Sequence, residues 1–97
     1  MRIIAYKALK GFWAKYPDAE QPLKAWFKLV READWKTPRD VKLLYRNASI
    51  LQDGRLVFNI AGNKYRLVVW INYAYRVVYI RFIGTHRQYD EIDVQTV

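Results

Sequence analysis

The sequence predicts an α+β domain in which helices cover one face of a small antiparallel sheet. Three runs rich in Val, Ile, Tyr and Phe follow one another between residues 55 and 84, with short turn-prone pieces between them. Two stretches with the helical spacing of apolar residues come before these runs. Strands that follow one another directly form a meander, and helices placed outside the meander are typical of the α+β class. The 97 residues are enough for one domain, residues 1–97, with a single modest core.

The N-terminal third of the chain predicts a short strand and two helices. Arg2–Ala5 is the strand candidate, and Pro17 ends the first helix. Asp18 with Gln21 resembles a capping box that starts the second helix. The apolar stripes of the two helices are Leu9, Phe12, Trp13 and Tyr16, and then Leu23, Trp26, Phe27 and Val30. Two amphipathic helices joined by a tight break form an N-terminal α-helical hairpin, and we interpret its aromatic residues as core that covers the sheet.

Two shorter helices are predicted from their capping residues. Thr37 as N-cap, Pro38 in the first turn and Asp40 at the third helical position indicate a helix start. The residues that would dock this helix are Val41, Leu44 and Tyr45. Thr85 is a candidate N-cap for a last short helix or turn within residues 85–93.

The meander consists of three predicted strands, Arg55–Ala61, Lys64–Tyr73 and Arg76–Gly84. Ala61-Gly62-Asn63 forms the first turn, where Gly and Asn tolerate positive φ. Period-two alternation sorts the strand residues into two faces. The apolar face consists of Leu56, Phe58 and Ile60, then Tyr65, Leu67, Val69 and Ile71, then Val78, Ile80 and Phe82. The opposite face consists of Arg55, Val57 and Asn59, then Lys64, Arg66, Val68 and Trp70, then Val77, Tyr79, Arg81 and Ile83.

Cations without local counter-ions mark this opposite face. No carboxylate occurs between Asp53 and Asp90, while that stretch contains the cations Arg55, Lys64, Arg66, Arg76, Arg81 and Arg87. The net charge of the chain is +8, which favours nucleic acid, an acidic protein or a membrane surface as partner. A solvated face with cations for solubility is the commoner case. Here Trp70 and Tyr79 lie among the cations and favour binding, because aromatic rings stack on exposed bases.

Composition excludes several classes of function. The chain has no cysteine and one histidine, which excludes disulfides, thiolate nucleophiles and His-pair metal motifs, and we expect neither a metal nor a cofactor. The longest apolar run, Leu67–Ile71, is too short to span a bilayer. Lys7 and Lys10 lie where a signal peptide would be apolar, so we expect a cytoplasmic protein, which the lack of cysteine also fits.

His86 and Tyr89 form a further candidate group, three residues apart just after the third strand. A lone histidine is usually a surface or capping residue. Beside a basic face without acids it becomes a candidate general base or acid, because histidine side chains titrate near neutral pH.

Two segments, NIAGNKYRLVVWINY (Asn59–Tyr73) and VYIRFIGTHRQYDEID (Val78–Asp93), resemble the HigB-type toxins of the RelE-like mRNA interferase superfamily. The likeness covers nearly the whole chain, and GNKYRL and GTHRQYD are its most specific motifs. The resemblance implies a RelE-like microbial ribonuclease-type fold, with a helical hairpin on a small antiparallel sheet. It also implies an endoribonuclease that usually acts on mRNA in the ribosomal A site and is neutralised by a helix-turn-helix, HigA-like antitoxin.

The resemblance also implies roles for single residues. Lys64 and Arg66 match the basic pair of GNKYRL, Arg81 matches a cation of the preceding strand motif, and His86 and Tyr89 match the THxxYD ending. Metal-free RNA cleavage needs a base, cations for the phosphorane and an acid for the leaving group. We predict His86 as base or acid, Arg66 and Arg81 as phosphorane clamps, Lys64 as a second proton-transfer or phosphate contact, and Tyr89 as a positioning or stacking residue. The predicted substrate-binding residues are Arg55, Asn63, Tyr79 and Arg87.

Two other classes of function remain open on the residues alone. A non-catalytic RNA- or DNA-binding module explains the charge and the aromatic residues equally well, but it does not require a histidine at the rim of the face. A pure interaction protein would use its positive charge to dock an acidic partner.

Overall fold

A computed structural model describes residues 1–97 and confirms the α+β class. The five strands are β1 (Arg2–Ile4), β2 (Ser49–Ile50), β3 (Arg55–Ile60), β4 (Tyr65–Asn72) and β5 (Val77–Thr85). The four α-helices are α1 (Lys7–Lys15), α2 (Glu20–Glu32), α3 (Pro38–Leu44) and α4 (His86–Asp90), with 3-10 turns at Pro17–Ala19 and Gln52–Gly54. None of these helices has the length and apolarity needed to cross a membrane.

All five strands form one sheet in the order β1-β5-β4-β3-β2. The predicted meander is confirmed, because β3 pairs with β4 and β4 with β5 in antiparallel fashion. The sheet as a whole is mixed rather than antiparallel, since β1 pairs with β5 in parallel, with Arg2 opposite Val77 and Ile4 opposite Tyr79. Helices separate β1 from the other strands along the chain, so no tight turn forces β1 to run antiparallel to its neighbour.

The helices α1 and α2 contact each other and contribute to one core with the sheet. Trp26 of α2 is 2% exposed, and its ring centroid lies 5.5 Å from that of Phe58 on β3. Phe27 is only partly buried and packs on Tyr6, with 4.1 Å between ring centroids. The prediction of a core residue is therefore confirmed for Trp26, whereas Phe27 lies at the edge of the core.

The helix starts show which capping patterns in the sequence correctly predicted the start of a helix. Thr37 and Thr85 both form capping boxes, as their positions predicted. The capping box predicted from Asp18 is wrong, because α2 starts after Ala19 without any side-chain cap. The carboxylate of Asp18 accepts hydrogen bonds from the β3–β4 region instead. In α3, Val41 is buried, whereas Leu44 is exposed and does not dock the helix as predicted.

A β-bulge changes the faces of β5 at its C-terminal end. Val68 lies opposite Phe82, but Val69 lies opposite Ile80, so Arg81 is the extra residue of β5. Because one extra residue shifts the alternation, Ile83 rather than Phe82 packs against the core. The prediction that Phe82 shares the apolar face and that Ile83 lies opposite is therefore wrong.

Candidate active site

The candidate site lies on the sheet face that points away from α1 and α2, which we call the open face. Register places on it the side chains of Arg55 and Asn59 from β3, Arg66 and Trp70 from β4, and Tyr79 from β5. The structure divides the predicted site residues into two groups. The His86 group consists of Lys64, Arg66, His86 and Tyr89, and the Arg81 group consists of Arg55, Trp70, Tyr79 and Arg81.

The His86 group is assembled where the β3–β4 turn meets the start of α4. The main-chain N–H of His86 donates to the carbonyl oxygen of Lys64 at 3.1 Å. Register places Arg66 directly opposite Gly84, two residues before His86. Gly84 is needed there, because a Cβ atom would lie 2.5 Å from the ring of Phe82 and 2.9 Å from Oε1 of Gln88. Residues distant in sequence therefore converge at one end of the sheet.

The backbone of the β3–β4 turn determines where Lys64 lies. Ala61 and Gly62 adopt positive φ angles of 55° and 68°. The sequence predicted positive φ at the Gly and Asn of this turn, so the pair of left-handed residues is shifted by one position. Asn63 follows them and is exposed, and its main-chain oxygen accepts a hydrogen bond from Arg66.

Lys64 forms an ion pair with Asp18, and the hydroxyl of Tyr65 donates to the same carboxylate. The hydrogen bond from Lys64 is the main cause that lowers the pKa of Asp18. The same contact raises the pKa of Lys64 and, through Asp18, the pKa of Tyr65. The side chain of Lys64 is 63% exposed, so the lysine is positively charged at neutral pH, and the contact with Asp18 favours that form further.

Arg66 has no carboxylate partner. Its Nη1 donates to the main-chain oxygens of Asn63 at 3.1 Å and of Tyr65 at 3.4 Å. No hydrogen bond or ion pair occupies its Nη2 and Nε atoms. The guanidinium is thus held in place by the turn while several of its donors remain available to an anion.

His86 lies at the start of α4 with its side chain 54% exposed. Its Nδ1 is 3.1 Å from Oδ2 of Asp90, one helical turn later. When Nδ1 carries the hydrogen and donates it to Asp90, Nε2 has a free lone pair that can accept a proton. Tyr89 is half-buried and lies three residues after His86, on a neighbouring position of the same helix. No three His, Cys, Asp or Glu side chains are grouped so that they could hold a metal ion.

The Arg81 group lies further along the open face. The rings of Trp70 and Tyr79 lie side by side with their centroids 5.3 Å apart, and the indole N–H of Trp70 donates to the main-chain oxygen of Asp53 at 2.5 Å. Arg81 at the bulge and Arg55 on β3 both donate to the main-chain oxygen of Val97. Register places Arg55 on the open face, and the common acceptor shows that the guanidinium group of Arg81 lies near that of Arg55.

The structure does not bring Arg66 and Arg81 into contact. Arg66 lies opposite Gly84 in the sheet. Arg81 is the extra residue of the bulge, and its side chain contacts the C-terminal segment instead of Arg66. Arg87 is exposed on α4 without an ion-pair partner. Arg76 pairs with Asp34 at 2.6 Å and belongs to neither group. The expectation of a face without counter-ions thus holds for Arg55, Arg66, Arg81 and Arg87, but not for Lys64, Arg76 or His86.

Sequence reasoning missed three features of the site. Asp90 could have been found, because the spacing of four residues from His86 brings both onto one helix face. Asp18 has no such signal, since it is 46 residues away from Lys64 in the chain. The position of residues 91–97 over the open face had no sequence signal either.

The fold and the site define a small, basic α+β protein with one sheet face under helices and one cationic open face. The family model of the HigB toxin, the RelE-like toxic component of a toxin–antitoxin system, matches residues 19–92. The chain therefore belongs to the HigB family of RelE-like toxins.

Curated relatives support this assignment. The chain is 32% identical over 92 residues to the mRNA interferase toxin HigB of Escherichia coli K12. This match covers 93% of this chain and 88% of the relative. The mRNA interferase HigB of Shigella flexneri matches with the same identity and coverage. A further mRNA interferase HigB, from Escherichia coli O6:H1, is 23% identical over 94 residues, covering 95% of this chain and 91% of the relative.

Proposed function

We propose that the chain is the toxin of a toxin–antitoxin pair and acts in the cytoplasm as an mRNA interferase. It would cleave mRNA as a metal-free endoribonuclease, with the ribosome presenting the substrate, and a cognate HigA-like, helix-turn-helix antitoxin would neutralise it. The relatives named mRNA interferase support the activity, since the matches span most of both chains. The observation that carries the proposal is the main-chain hydrogen bond between His86 and Lys64, which, with Arg66 opposite Gly84, brings a histidine, a lysine and an arginine to one end of the sheet.

Cleavage in this proposal begins with proton transfer at a 2′-hydroxyl. Nε2 of His86, exposed and without a protein partner, takes the proton while Asp90 holds Nδ1. The 2′-oxygen attacks the adjacent phosphorus, the bond to the 5′-oxygen breaks, and the products carry a 2′,3′-cyclic phosphate and a 5′-hydroxyl. The opposite assignment has protonated His86 donate a proton to the 5′-oxygen.

The cations of the His86 group would stabilise the phosphorane. Arg66 offers unoccupied guanidinium donors from a position held by the turn. Lys64 is charged at neutral pH and Asp18 raises its pKa further, so it fits a phosphate contact or a proton donor and not a general base. Tyr89 is in reach of the same end of the sheet and would position or stack a base, while Asn63 and Arg87 would contact the RNA from the turn and from α4.

Controlled expression in bacteria tests the proposal directly. Wild type should arrest growth, and mapping of mRNA ends should reveal new cleavage sites with 2′,3′-cyclic phosphates. The double variant Arg66→Ala/His86→Ala should lose both effects, whereas Arg39→Ala, which removes one exposed cation from α3, should behave as wild type. Co-expression of the antitoxin should restore growth. Normal growth at high soluble expression of wild type, with intact message, contradicts the proposal.

The pH dependence of single-turnover cleavage distinguishes the roles of His86 and Lys64. If His86 is the base, the rate rises with pH, and if it is the acid, the rate falls. His86→Gln should lose about two to four orders of magnitude in rate and the pH dependence with it. A His86→Gln variant with the wild-type rate and pH profile would remove His86 from the mechanism, and Lys64→Ala would then be expected to lose most of the activity.

A non-catalytic RNA-binding module is the alternative. The Trp70–Tyr79 ring pair beside Arg55 and Arg81 favours it, since aromatic rings and cations together bind single-stranded RNA without chemistry. Binding to translating ribosomes without any 2′,3′-cyclic phosphate product would support this alternative.

A further inference from the structure

The C-terminal segment, residues 91–97, contacts the Arg81 group on the open face through its last residue, Val97. Nη2 of Arg55 donates to the main-chain oxygen of Val97 at 3.3 Å, and Nε of Arg81 donates to the same oxygen at 3.5 Å. Two guanidinium groups from β3 and β5 therefore converge on one oxygen atom. Both contacts are at the long end of the hydrogen-bond range, so the acceptor only partly satisfies them.

Two valines in the middle of the open face are buried, although they lie outside the core under the helices. Val57 and Val68 lie opposite each other on the open face, yet they are 3% and 0% exposed. They do not belong to the core formed with the helices. Their cover must lie on the open face itself, and the hydrogen bonds of Arg55 and Arg81 place Val97 there.

The segment is held to the sheet by few bonds. Its main-chain hydrogen bonds are local: the N–H groups of Thr96 and Val97 donate to the carbonyl oxygen of Asp93 at 3.1 Å each, and that of Gln95 donates to the Asp93 carboxylate at 3.0 Å. No main-chain hydrogen bond joins the segment to a strand. It can therefore leave the open face without breaking the sheet.

The Arg81 group also contains a donor that the segment leaves without a partner. Nε of Arg55 is buried and has no hydrogen-bond partner. A phosphate carries several acceptor oxygens and can accept short, parallel bonds from two guanidinium groups, whereas the single Val97 oxygen accepts only one long bond from each. The segment itself carries the carboxylates of Glu91 and Asp93, which suits a position over a cationic face.

We propose that Arg55 and Arg81 form a second phosphate subsite, separate from the His86 group, which residues 91–97 occupy until RNA displaces them. This inference rests on the proposed function, because it takes an RNA strand as the ligand. The strand would run along the open face, with its reacting phosphate at the His86 group and a neighbouring phosphate at the Arg81 group. The apparent association constant for RNA is then the intrinsic constant multiplied by the fraction of molecules in which the segment has left the subsite.

A binding assay with RNA that cannot react tests the competition apart from cleavage. The probe is a fluorescein-labelled, fully 2′-O-methylated RNA oligonucleotide, followed by fluorescence anisotropy at one fixed salt concentration. Asp93→Ala removes the carboxylate that accepts the Gln95 N–H in the turn and should tighten binding by about tenfold, the gain expected if about one molecule in ten is open in wild type. Glu91→Ala is the matched control, because it removes the same charge from the same segment without touching the turn, and screening should limit its effect to about twofold.

A second pair of variants localises the effect. Deletion of residues 95–97 removes the Val97 oxygen and should tighten binding as Asp93→Ala does, with circular dichroism confirming that the variant is folded. In an Arg55→Gln background, the same deletion should give no gain, since the subsite has lost one of its two cations. Equal affinities of wild type, Asp93→Ala and the deletion overturn the competition, as does an undiminished gain in the Arg55→Gln background.

Failure of this inference is distinguishable from failure of the proposed function. If the protein cleaves mRNA in cells but shows none of these affinity changes, the proposed function stands and the proposed competition by residues 91–97 is wrong. A protein that neither cleaves mRNA nor binds the probe in any variant loses both.

Discussion

The two faces of the sheet use the same strands for different purposes. On the helix-covered face, side chains such as Leu56, Leu67 and Val69 are fully buried together with Trp26 from α2. On the open face, Arg55, Arg66 and Arg81 have no Asp or Glu partner, and the locally bonded C-terminal segment contacts only Arg55 and Arg81, through Val97. The covered face holds the fold together by apolar burial, while the open face keeps cations available for a ligand. Mutations on the two faces should therefore separate stability from activity.

The largest effect is expected on the covered face, at Trp26. Trp26→Ala removes a buried ring that packs on Phe58, and we expect a loss of about 3–5 kcal/mol in the free energy of unfolding. That is a large part of the roughly 5–15 kcal/mol available to a small domain. Trp70→Ala on the open face is the matched control and should cost clearly less, because Trp70 is only partly buried. Urea unfolding of both variants measures the difference, and equal losses would show that the two faces do not differ in this way.

The next effect concerns Arg81 on the open face. Arg81→Ala should weaken RNA binding by about 10- to 100-fold, since a hydrogen bond to a charged group contributes about 1.5–3 kcal/mol. The unfolding free energy should change by no more than about 0.5 kcal/mol, because the side chain is exposed. Arg81→Lys should restore affinity only in part, because an ammonium group cannot form two parallel bonds to a phosphate. Wild-type cleavage and affinity in the alanine variant would remove Arg81 from the site.

A smaller effect is expected at Asp18, which joins the helical layer to the turn that carries Lys64. The pKa of Asp18 is lowered by its hydrogen bond with Lys64, so its stabilising contribution is present above the ordinary pKa of an aspartate. That contribution is lost as pH falls through the lowered value. Asp18→Asn should therefore be less stable than wild type at neutral pH, and the two should converge in strong acid. Urea unfolding across the acid range checks this, and a constant difference down to the lowest pH would show that Asp18 acts without its charge.

The smallest effect is expected at Tyr73, whose hydroxyl is buried without a hydrogen-bond partner. Burial raises the pKa of Tyr73 to about 12. Because the folded state disfavours the ionised form, its contribution is intact below the pKa of an ordinary tyrosine, about 10, and stability falls as pH rises from there through the folded value. Tyr73→Phe should be at least as stable as wild type at neutral pH, because it removes a buried unpaired hydroxyl, and it should keep more of its stability in alkali. Parallel alkaline unfolding curves for both proteins would argue against a buried hydroxyl.

Much of the fold was determined by the sequence itself. Alternation with period two placed Leu56, Phe58 and Leu67 on the covered face, and all three are buried there. Thr37 and Thr85 predicted helix starts because capping depends on residues three positions apart. The sequence also identified the cations Arg55, Arg66 and Arg81, since the lack of nearby acids is visible without a structure. Each of these features depends on neighbours within a few residues.

Only the tertiary structure decided how these pieces meet. The bulge at Arg81 moves Phe82 to the open face, and β1 pairs with β5 in parallel. Asp18, far from Lys64 in the sequence, forms an ion pair with it. The C-terminal segment meets the open face where Val97 contacts Arg55 and Arg81. Such contacts join residues far apart in the chain, and their energies depend on the packing of the whole domain. Periodicity and capping patterns in the sequence do not predict these contacts, because such patterns depend only on residues a few positions apart.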